Sequence, residues 1–399
     1  MISLIGRHKE KNMKILIEAS NIRAGGGVTH LVEMLSAFDA TALESSSVAL
    51  RAPGETLAKV GEYHWLSKMR TVSSGIPALP IVDDRGLTLV GDKVFYPDIL
   101  LVPGGSYLGS FRPFIAFAQN LLPFDTVERS RAGIGLKYLR LRLLEQLQGR
   151  TFRRASGVIY MSSISKDQIE RRIRFRPRHS RVVHHGTSAR FCRPSSSGLN
   201  SCGFVSGSHG KPLRLLYVSI LEPYKHQLKV LNALAQTRAA GRSVVLDLVG
   251  PSAEGEAEAL TRECVRLGLA SDVVHYHGAV PYDRLEFIYK QADAFIFASS
   301  CETFGIILLE AMAAGLPLLC SSRSSLPEVA GDAAVYFDPL DVASLGRAIT
   351  AIYDDGTRRE SLAFRSRRRA AQFSWERCAR ETFGFVREVY ESHQIQKKV

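Results

Sequence analysis

Twice along this chain, short apolar runs alternate with helix-length segments, and a stretch poor in apolar residues separates the two series. The first series runs MKILIEAS, GVTHLVEMLSAF, ILLVPG, ASGVIYMS, ISKDQIERRI and RVVHHG; the second places helical segments between LRLLYVSI, VVLDLVG, VVHYHG, AFIFAS and LPLLCS. Strands joined by helix-length returns run parallel, and a parallel sheet covered on both faces reads as continuous apolar runs, not as alternation. Two α/β domains are therefore expected. With 45% hydrophobic residues, 399 residues suffice for two ordinary cores.

The separator, PSSSGLNSCGFVSGSHGK, has the composition of a linker. It divides a first domain at 1–195 from a second at 212–374, with the linker at 196–211. A closing helix and tail occupy 375–399, with Trp375, Cys378, Ala379, Phe383, Val386 and Tyr390 as its apolar positions, expected to pack on a domain surface. Met13 directly precedes the first strand, so residues 1–12 read as an extension. Two such sheets facing one another enclose a cleft at the carboxyl ends of their strands, where open α/β folds bind ligands.

No apolar run approaches the roughly 20 residues of a spanning helix. The N-terminus places a short apolar piece before charge, the reverse of a secretory signal, and a cytoplasmic location is expected. The six cysteines (Cys192, Cys202, Cys264, Cys301, Cys320 and Cys378) form no Cys-x-x-Cys pair and read as buried free thiols. A net charge of +13 calls for an anionic partner: a nucleotide, a nucleic acid or an acidic membrane surface. The basic segments lack the interleaved aromatics of a nucleic-acid module. A basic nucleic-acid-binding protein is thus the rival reading from another class, and no nucleic-acid partner is expected. Residues 129–154 carry eight Lys or Arg against one acid, Glu145, while Leu136, Leu139, Leu143 and Leu147 share a helical face. A helix of this kind suits anionic headgroups; an ordinary helix packed on its own domain fits the same pattern.

The stretch SCETFGIILLEAMAAGLPLL, starting at Ser300, carries the most chemistry. Glu302 closes a strand-to-helix turn, Gly305 opens the helix, and Glu310 lies inside it. The N–H groups of Phe304, Gly305 and Ile306 are expected as unpaired helix-start donors suited to phosphate oxygens. Two carboxylates flanking such an anion site accept hydrogen bonds from hydroxyls, the polarity of a sugar nucleotide. A plain helix start, with Glu302 favouring its positive end and Glu310 at the surface, accommodates the same residues. In the first half, Gly25, Gly26 and Gly27 stand between a strand and a helix, where they permit close backbone approach to an anion or simply a turn. They do not complete a dinucleotide-binding fingerprint.

Glu302, seven intervening residues and Glu310, set in ETFGIILLEAMAAGLPLL and followed by SSLPEVAGDAAVYFDPLD, resemble the donor-site signature of the retaining family-four glycosyltransferases, also described as glycosyl transferases group 1. The likeness spans most of 13–390, weakly in the first half and specifically over 213–341. It implies the GT-B architecture, an α/β fold of two Rossmann-like doubly wound domains facing a central cleft. It implies a nucleotide-sugar donor held mainly by the second domain, a glycan or lipid-linked acceptor, and retention of anomeric configuration, as in polysaccharide or cell-envelope glycan biosynthesis. By the same resemblance Glu310 bonds the ribose hydroxyls, Glu302 reaches the transferred sugar, and the amides of Phe304, Gly305 and Ile306 meet the sugar or pyrophosphate. Gly26 and Gly27 lie beside the donor phosphates or the acceptor.

The family holds the pyrophosphate with an arginine and, five residues later, a lysine. Lys225 matches the lysine, so Lys225 and Glu302 are the catalytic candidates, but Ile220 stands at the arginine position. Arg214, His226 or a residue of the other domain is left to compensate. Where the family commonly has a histidine near the reaction centre this chain has Gln119 and Asn120, which can bond a sugar hydroxyl but not act as a base. His184 and His185 precede a family turn, where a structural role is the leading reading and His185 is a further candidate for a sugar contact. No Asp-x-Asp triplet occurs, so neither metal nor other cofactor is expected. A nucleotide-sugar epimerase of the same fold is the alternative.

Overall fold

The structure, a computed structural model, describes residues 13–23, 25–38, 47–61, 70–73, 88–90, 93–131, 133, 135–192 and 211–398. The extension at 1–12, Cys202 and all of the linker except Lys211 lie outside the described residues. The five described cysteines are free thiols, but only Cys301, Cys320 and Cys378 are buried; Cys264 is half-buried and Cys192 exposed.

Two open parallel sheets account for the two series of runs. The first nine strands are β1 (Lys14–Glu18), β2 (Ser47–Ala52), β3 (Arg70–Ser73), β4 (Thr88–Val90), β5 (Lys93–Phe95), β6 (Ile99–Val102), β7 (Phe114–Ala118), β8 (Gly157–Tyr160) and β9 (Ser180–Val182). β4 and β5 pair with each other antiparallel; the rest form one sheet in the order β3-β2-β1-β6-β7-β8-β9. The second sheet holds β10 (Leu213–Val218), β11 (Val244–Val249), β12 (Val274–Tyr276), β13 (Ala294–Phe297), β14 (Leu318–Ser321) and β15 (Ala334–Phe337), ordered β12-β11-β10-β13-β14-β15. Returns in the first domain use α1 (Gly26–Ser36), α2 (Gly54–Gly61), α3 (Thr126–Arg131), α4 (Leu136–Arg154) and α5 (Ser163–Ile173). The second domain has α6 (Gln227–Ala239), α7 (Glu256–Arg266), α8 (Leu285–Gln291), α9 (Ile306–Ala313), α10 (Leu326–Ala330), α11 (Val342–Tyr353) and α12 (Gly356–Ala370), and α13 (Trp375–Lys398) closes the chain.

Strands β6, β7, β11 and β13 are buried at every residue, because helices cover both faces of each sheet. Full burial of each large apolar side chain there contributes about 1.5–3 kcal/mol. Leu345, Ala348, Ile349 and Ile352 give α11 an apolar stripe at helical spacing, which packs on α6. Each sheet reverses its strand order once, between β1 and β6 and between β10 and β13. Loops after these four strands splay apart at the switch points, which is where a doubly wound fold opens a binding crevice.

α13 does not stay on the domain that precedes it. Phe383 stacks on Phe38 of the first domain with ring centres 4.0 Å apart, and Glu388 pairs with Arg181 at 2.5 Å. The chain crosses over where Thr187 bridges to Ser374. Gly186 is required there by close approach: a Cβ on it would lie 2.1 Å from the backbone nitrogen of Trp375. Gly186→Ala is expected to destabilise the protein by about 3 kcal/mol, since backbone has to shift to admit the methyl group. A fall in the urea midpoint checks this.

Candidate active site

Glu302 is built into the loop after β13. Its N–H donates to Ser324 Oγ at 2.9 Å, and its carbonyl accepts from Ser324 Oγ at 2.6 Å and Ser325 Oγ at 3.0 Å. Gly305 caps α9 in the left-handed region at φ 88, and a Cβ there would meet Leu326 Cδ2 at 2.8 Å. Ile306 is the first helical residue, one later than the sequence suggests. Among the described residues, no acceptor faces the N–H groups of Phe304, Gly305 or Ile306. The Phe304 ring is buried against His185 and Phe373.

Lys225 closes a 3-10 turn at Pro223–Lys225, and His226, at φ 55, separates that turn from α6. The Lys225 ammonium is buried and forms an ion pair and hydrogen bond with Glu302, while facing the rings of Tyr224 at 4.9 Å and Phe297 at 5.2 Å. Burial opposes its charge, but the Glu302 carboxylate outweighs that and raises the lysine pKa above its usual value. The group stays a cation.

Two expected substitutes for the arginine missing at Ile220 fail. Arg214 stands at the opposite end of β10 from this loop and is committed to Asp247 at 2.5 and 3.0 Å. His226 is buried with Nε2 2.8 Å from Ser300 Oγ, and burial, reinforced by Arg131, Lys229 and Arg323, pushes its pKa down to about 4. It is neutral at pH 7. The other domain does deliver cations: α3 packs on the Pro223–Lys225 turn and ends in Arg131, and Lys137 of α4 pairs with Glu222.

Glu310 is buried, not at the surface, and Tyr282 and Tyr289 each donate a hydroxyl to one of its oxygens at 3.0 Å. Burial outweighs these bonds and pushes its pKa up to about 7. Phe191 packs edge-on against both tyrosines, and Arg190 lies 5.0 Å over Tyr282 while reaching Glu33 of α1 at 3.8 Å. The sequence reading missed Tyr282 and Tyr289. Their seven-residue spacing, two helical turns, was the available signal.

The glycine loop lies against this site, since a Cβ on Gly26 would stand 4.0 Å from Ile306 Cγ2 and one on Gly27 3.5 Å from Gln119 Oε1. Gln119 Nε2 is 2.5 Å from His30 Nδ1, and the Gln119 carbonyl accepts from Thr303 Oγ1 at 3.2 Å. Asn120 accepts from the Leu122 N–H at 3.2 Å in an exposed turn. His185 takes the structural role and not the sugar contact: it is buried among His30, Phe304 and Trp375, with ring centres 4.6, 4.9 and 5.7 Å away. His184 approaches Glu328 at 3.3 Å, and the same carboxylate accepts the N–H groups of Ser163 at 2.9 Å and Ile164 at 3.0 Å at the start of α5. Among the described residues no three His, Cys, Asp or Glu side chains converge as a metal site would require.

Burial pushes the His30 pKa down from 6.5 to about 4, and drives that of His185 well down too. Both are neutral when folded and gain protons more readily on unfolding, so their contribution is intact above pH 6.5 and is lost as pH falls toward 4. Glu310 has the opposite sign: its raised pKa favours the folded state below pH 7. Among these site groups, with His226, three histidines oppose one carboxyl, so their joint contribution to stability should fall between pH 6 and 4.5. His30→Gln is expected to reduce that slope by about 1 kcal/mol per pH unit, read by urea unfolding at several pH values.

Residues 204–369 match the family model described as Glycosyl transferases group 1. The O-antigen chain mannosyltransferase B of Escherichia coli is 34% identical over 167 residues, covering 42% of this chain and 44% of that protein. A D-inositol 3-phosphate glycosyltransferase of Streptomyces avermitilis is 28% identical over 249 residues, 60% of this chain and 53% of the other. The chain thus spans about half the length of these curated relatives. Among solved structures, Anabaena HepE in complex with UDP-glucose superposes with a TM-score of 0.68 at 18% identity, over 94% of this chain and 100% of that one. WaaG, a glycosyltransferase involved in lipopolysaccharide biosynthesis, superposes with a TM-score of 0.62 at 16% identity, over 93% and 98%. At such identities the superpositions establish the fold: two Rossmann-like domains in the GT-B arrangement.

Proposed function

We propose that this chain, which belongs through residues 204–369 to the glycosyl transferases group 1, moves a sugar from a nucleotide-sugar donor to a glycan or lipid-linked acceptor. The observation that carries the proposal is the buried Lys225–Glu302 pair beside the unpaired amides of Phe304, Gly305 and Ile306, at the switch point of the second sheet. Breaking the bond between sugar and pyrophosphate leaves negative charge on the phosphate and positive charge on the sugar. Lys225 and the helix-start amides stabilise the leaving group as preorganised donors. The incoming pyrophosphate takes over Lys225, which frees Glu302 for a hydroxyl of the transferred sugar. Glu310 accepts the ribose hydroxyls in place of its tyrosines. Retention follows from the family resemblance, with the departing phosphate assisting acceptor attack on the same face. Lys225 and Glu310 are 6% and 3% exposed, so donor entry requires the domains to part along Gln119–Thr303 and Glu328–α5. The names of the O-antigen mannosyltransferase and of the UDP-glucose complex support polysaccharide or envelope glycan synthesis from a nucleotide sugar.

A thermal-shift screen against UDP-, GDP-, dTDP- and ADP-sugars should raise the melting temperature for one base class, and no shift with any would contradict the reading. The transfer needs no metal or other cofactor: activity should survive EDTA, and loss restored by magnesium or manganese would overturn this.

The enzyme acts at the cytoplasmic membrane face as a peripheral protein. Among the described residues no helix is long and apolar enough to cross a membrane. On α4, Leu136, Leu139 and Leu143 point outward at 87%, 62% and 59% exposure, while Leu141 and Phe152 form the buried side. Leu147 is half-buried, and Arg129 is buried in an ion pair with Glu145, so neither belongs to the outward face.

A further inference from the structure

We infer that the membrane-facing surface is a composite of α4 and the end of α5 through Arg178, and that its occupant is an anionic bilayer leaflet; the inference rests on the peripheral reading above. The two helices lie side by side. Arg172 pairs with Glu145 at 2.6 Å, Arg153 donates to the Ile173 carbonyl at 2.6 Å, and a Cβ on Gly149 would touch Ile173 at 3.4 Å. α5 stops at Ile173, and Arg174, in the left-handed region at φ 52, turns the chain so that Arg176 and Arg178 remain exposed.

The segment that supplies this face is rich in positive charge, although its Arg129 is buried. Residues 129–178 hold fourteen Lys or Arg against three acids, a surplus of eleven within the chain's +13. One of the acids, Glu145, is shared by Arg129 and Arg172. Arg140, Arg142, Arg150, Arg171, Arg174 and Arg178 form no ion pair among the described residues. An open groove of about 540 Å³, lined by Asp167, Glu170, Arg171, Arg174, Phe175 and Arg176, has room for a phosphate headgroup.

Charge alone would suit any polyanion. The three outward leucines select a bilayer, because a soluble polyanion leaves them in water whereas a leaflet offers acyl chains directly beneath its phosphates. The leucine end also borders the cleft: Lys137, next to Leu136, pairs with Glu222 on the loop that leads to Lys225. A lipid-borne acceptor leaving the leaflet therefore meets the donor loop at once.

Sedimentation with phosphatidylcholine vesicles, with and without phosphatidylglycerol, tests this on the full chain. Wild type should sediment only with the anionic vesicles. The triple variant Arg171→Ser, Arg174→Asn, Arg178→Ser and the triple variant Leu136→Ser, Leu139→Ser, Leu143→Ser should each bind about tenfold more weakly. Lysine at the three arginine positions should preserve binding, and all variants should unfold at the wild-type urea midpoint. If the arginine triple binds like wild type while the leucine triple does not, the composite face is wrong and docking through α4 alone stands. Wild-type binding by the leucine triple would overturn the part given to the leucines, and with it the argument that selects a bilayer over a soluble polyanion. Equal sedimentation of wild type with both vesicle types would overturn the peripheral reading itself.

Discussion

Lys225→Ala is expected to lower turnover about a hundredfold or more, the scale on which loss of one preorganised donor to a developing anion is felt, about 2.7 kcal/mol or above. The candidates that the sequence offers within the second domain do not replace it. Ile220 carries no charge, Arg214 is held by Asp247 at the far end of its strand, and His226 is neutral. The same substitution strands the Glu302 carboxylate, side chain 16% exposed, without its cation. Part of the effect would therefore appear as lost stability. Combining Lys225→Ala with Glu302→Gln separates the two: the urea midpoint should recover and turnover should not. Near-normal turnover in the single variant would remove Lys225 from the mechanism.

Glu310→Ala should lower kcat/KM for the donor about thirtyfold, close to 2 kcal/mol, the range for hydrogen bonds to a charged acceptor. It also orphans two buried tyrosine hydroxyls, so destabilisation of about 1–3 kcal/mol for each is expected alongside. Tyr289→Phe in the Glu310→Ala background should return part of that stability without returning activity. With its pKa pushed up to about 7, Glu310 ionises within the working range. Donor affinity should rise as pH passes upward through 7, because only the carboxylate accepts from both ribose hydroxyls, and Glu310→Gln should abolish the rise. A flat profile in the wild type would contradict the assignment.

Much of the fold was legible because both of its determinants are local. Fully buried strands such as ILLV and AFIF read as unbroken apolar runs, and Gly305 marks the one position where α9 must start from a left-handed residue. Glu302, Gly305 and Glu310 lie within one strand-loop-helix unit, so their spacing in the chain sets their spacing in space. What escaped depends on long-range packing. Tyr282 and Tyr289 reach Glu310 from α8 and the turn before it, Ser324 reaches Glu302 across the sheet, and Glu328 reaches α5 across the domain interface. The sequence does not show what buries His185; the returning α13 brings Trp375 over it. The left-handed His226 that separates Lys225 from α6 has no mark in the sequence.

The most direct measurement follows the fate of the donor. Purified protein is given each nucleotide sugar, radiolabelled in the sugar, with and without a membrane-lipid or glycan acceptor extract. Transfer requires that labelled sugar enter the acceptor as an equal amount of nucleoside diphosphate is released, that both depend on the acceptor, and that Lys225→Ala suppress both. Recovery of an intact nucleotide sugar with an isomerised sugar, or the same release of diphosphate with no label in the acceptor, would contradict it.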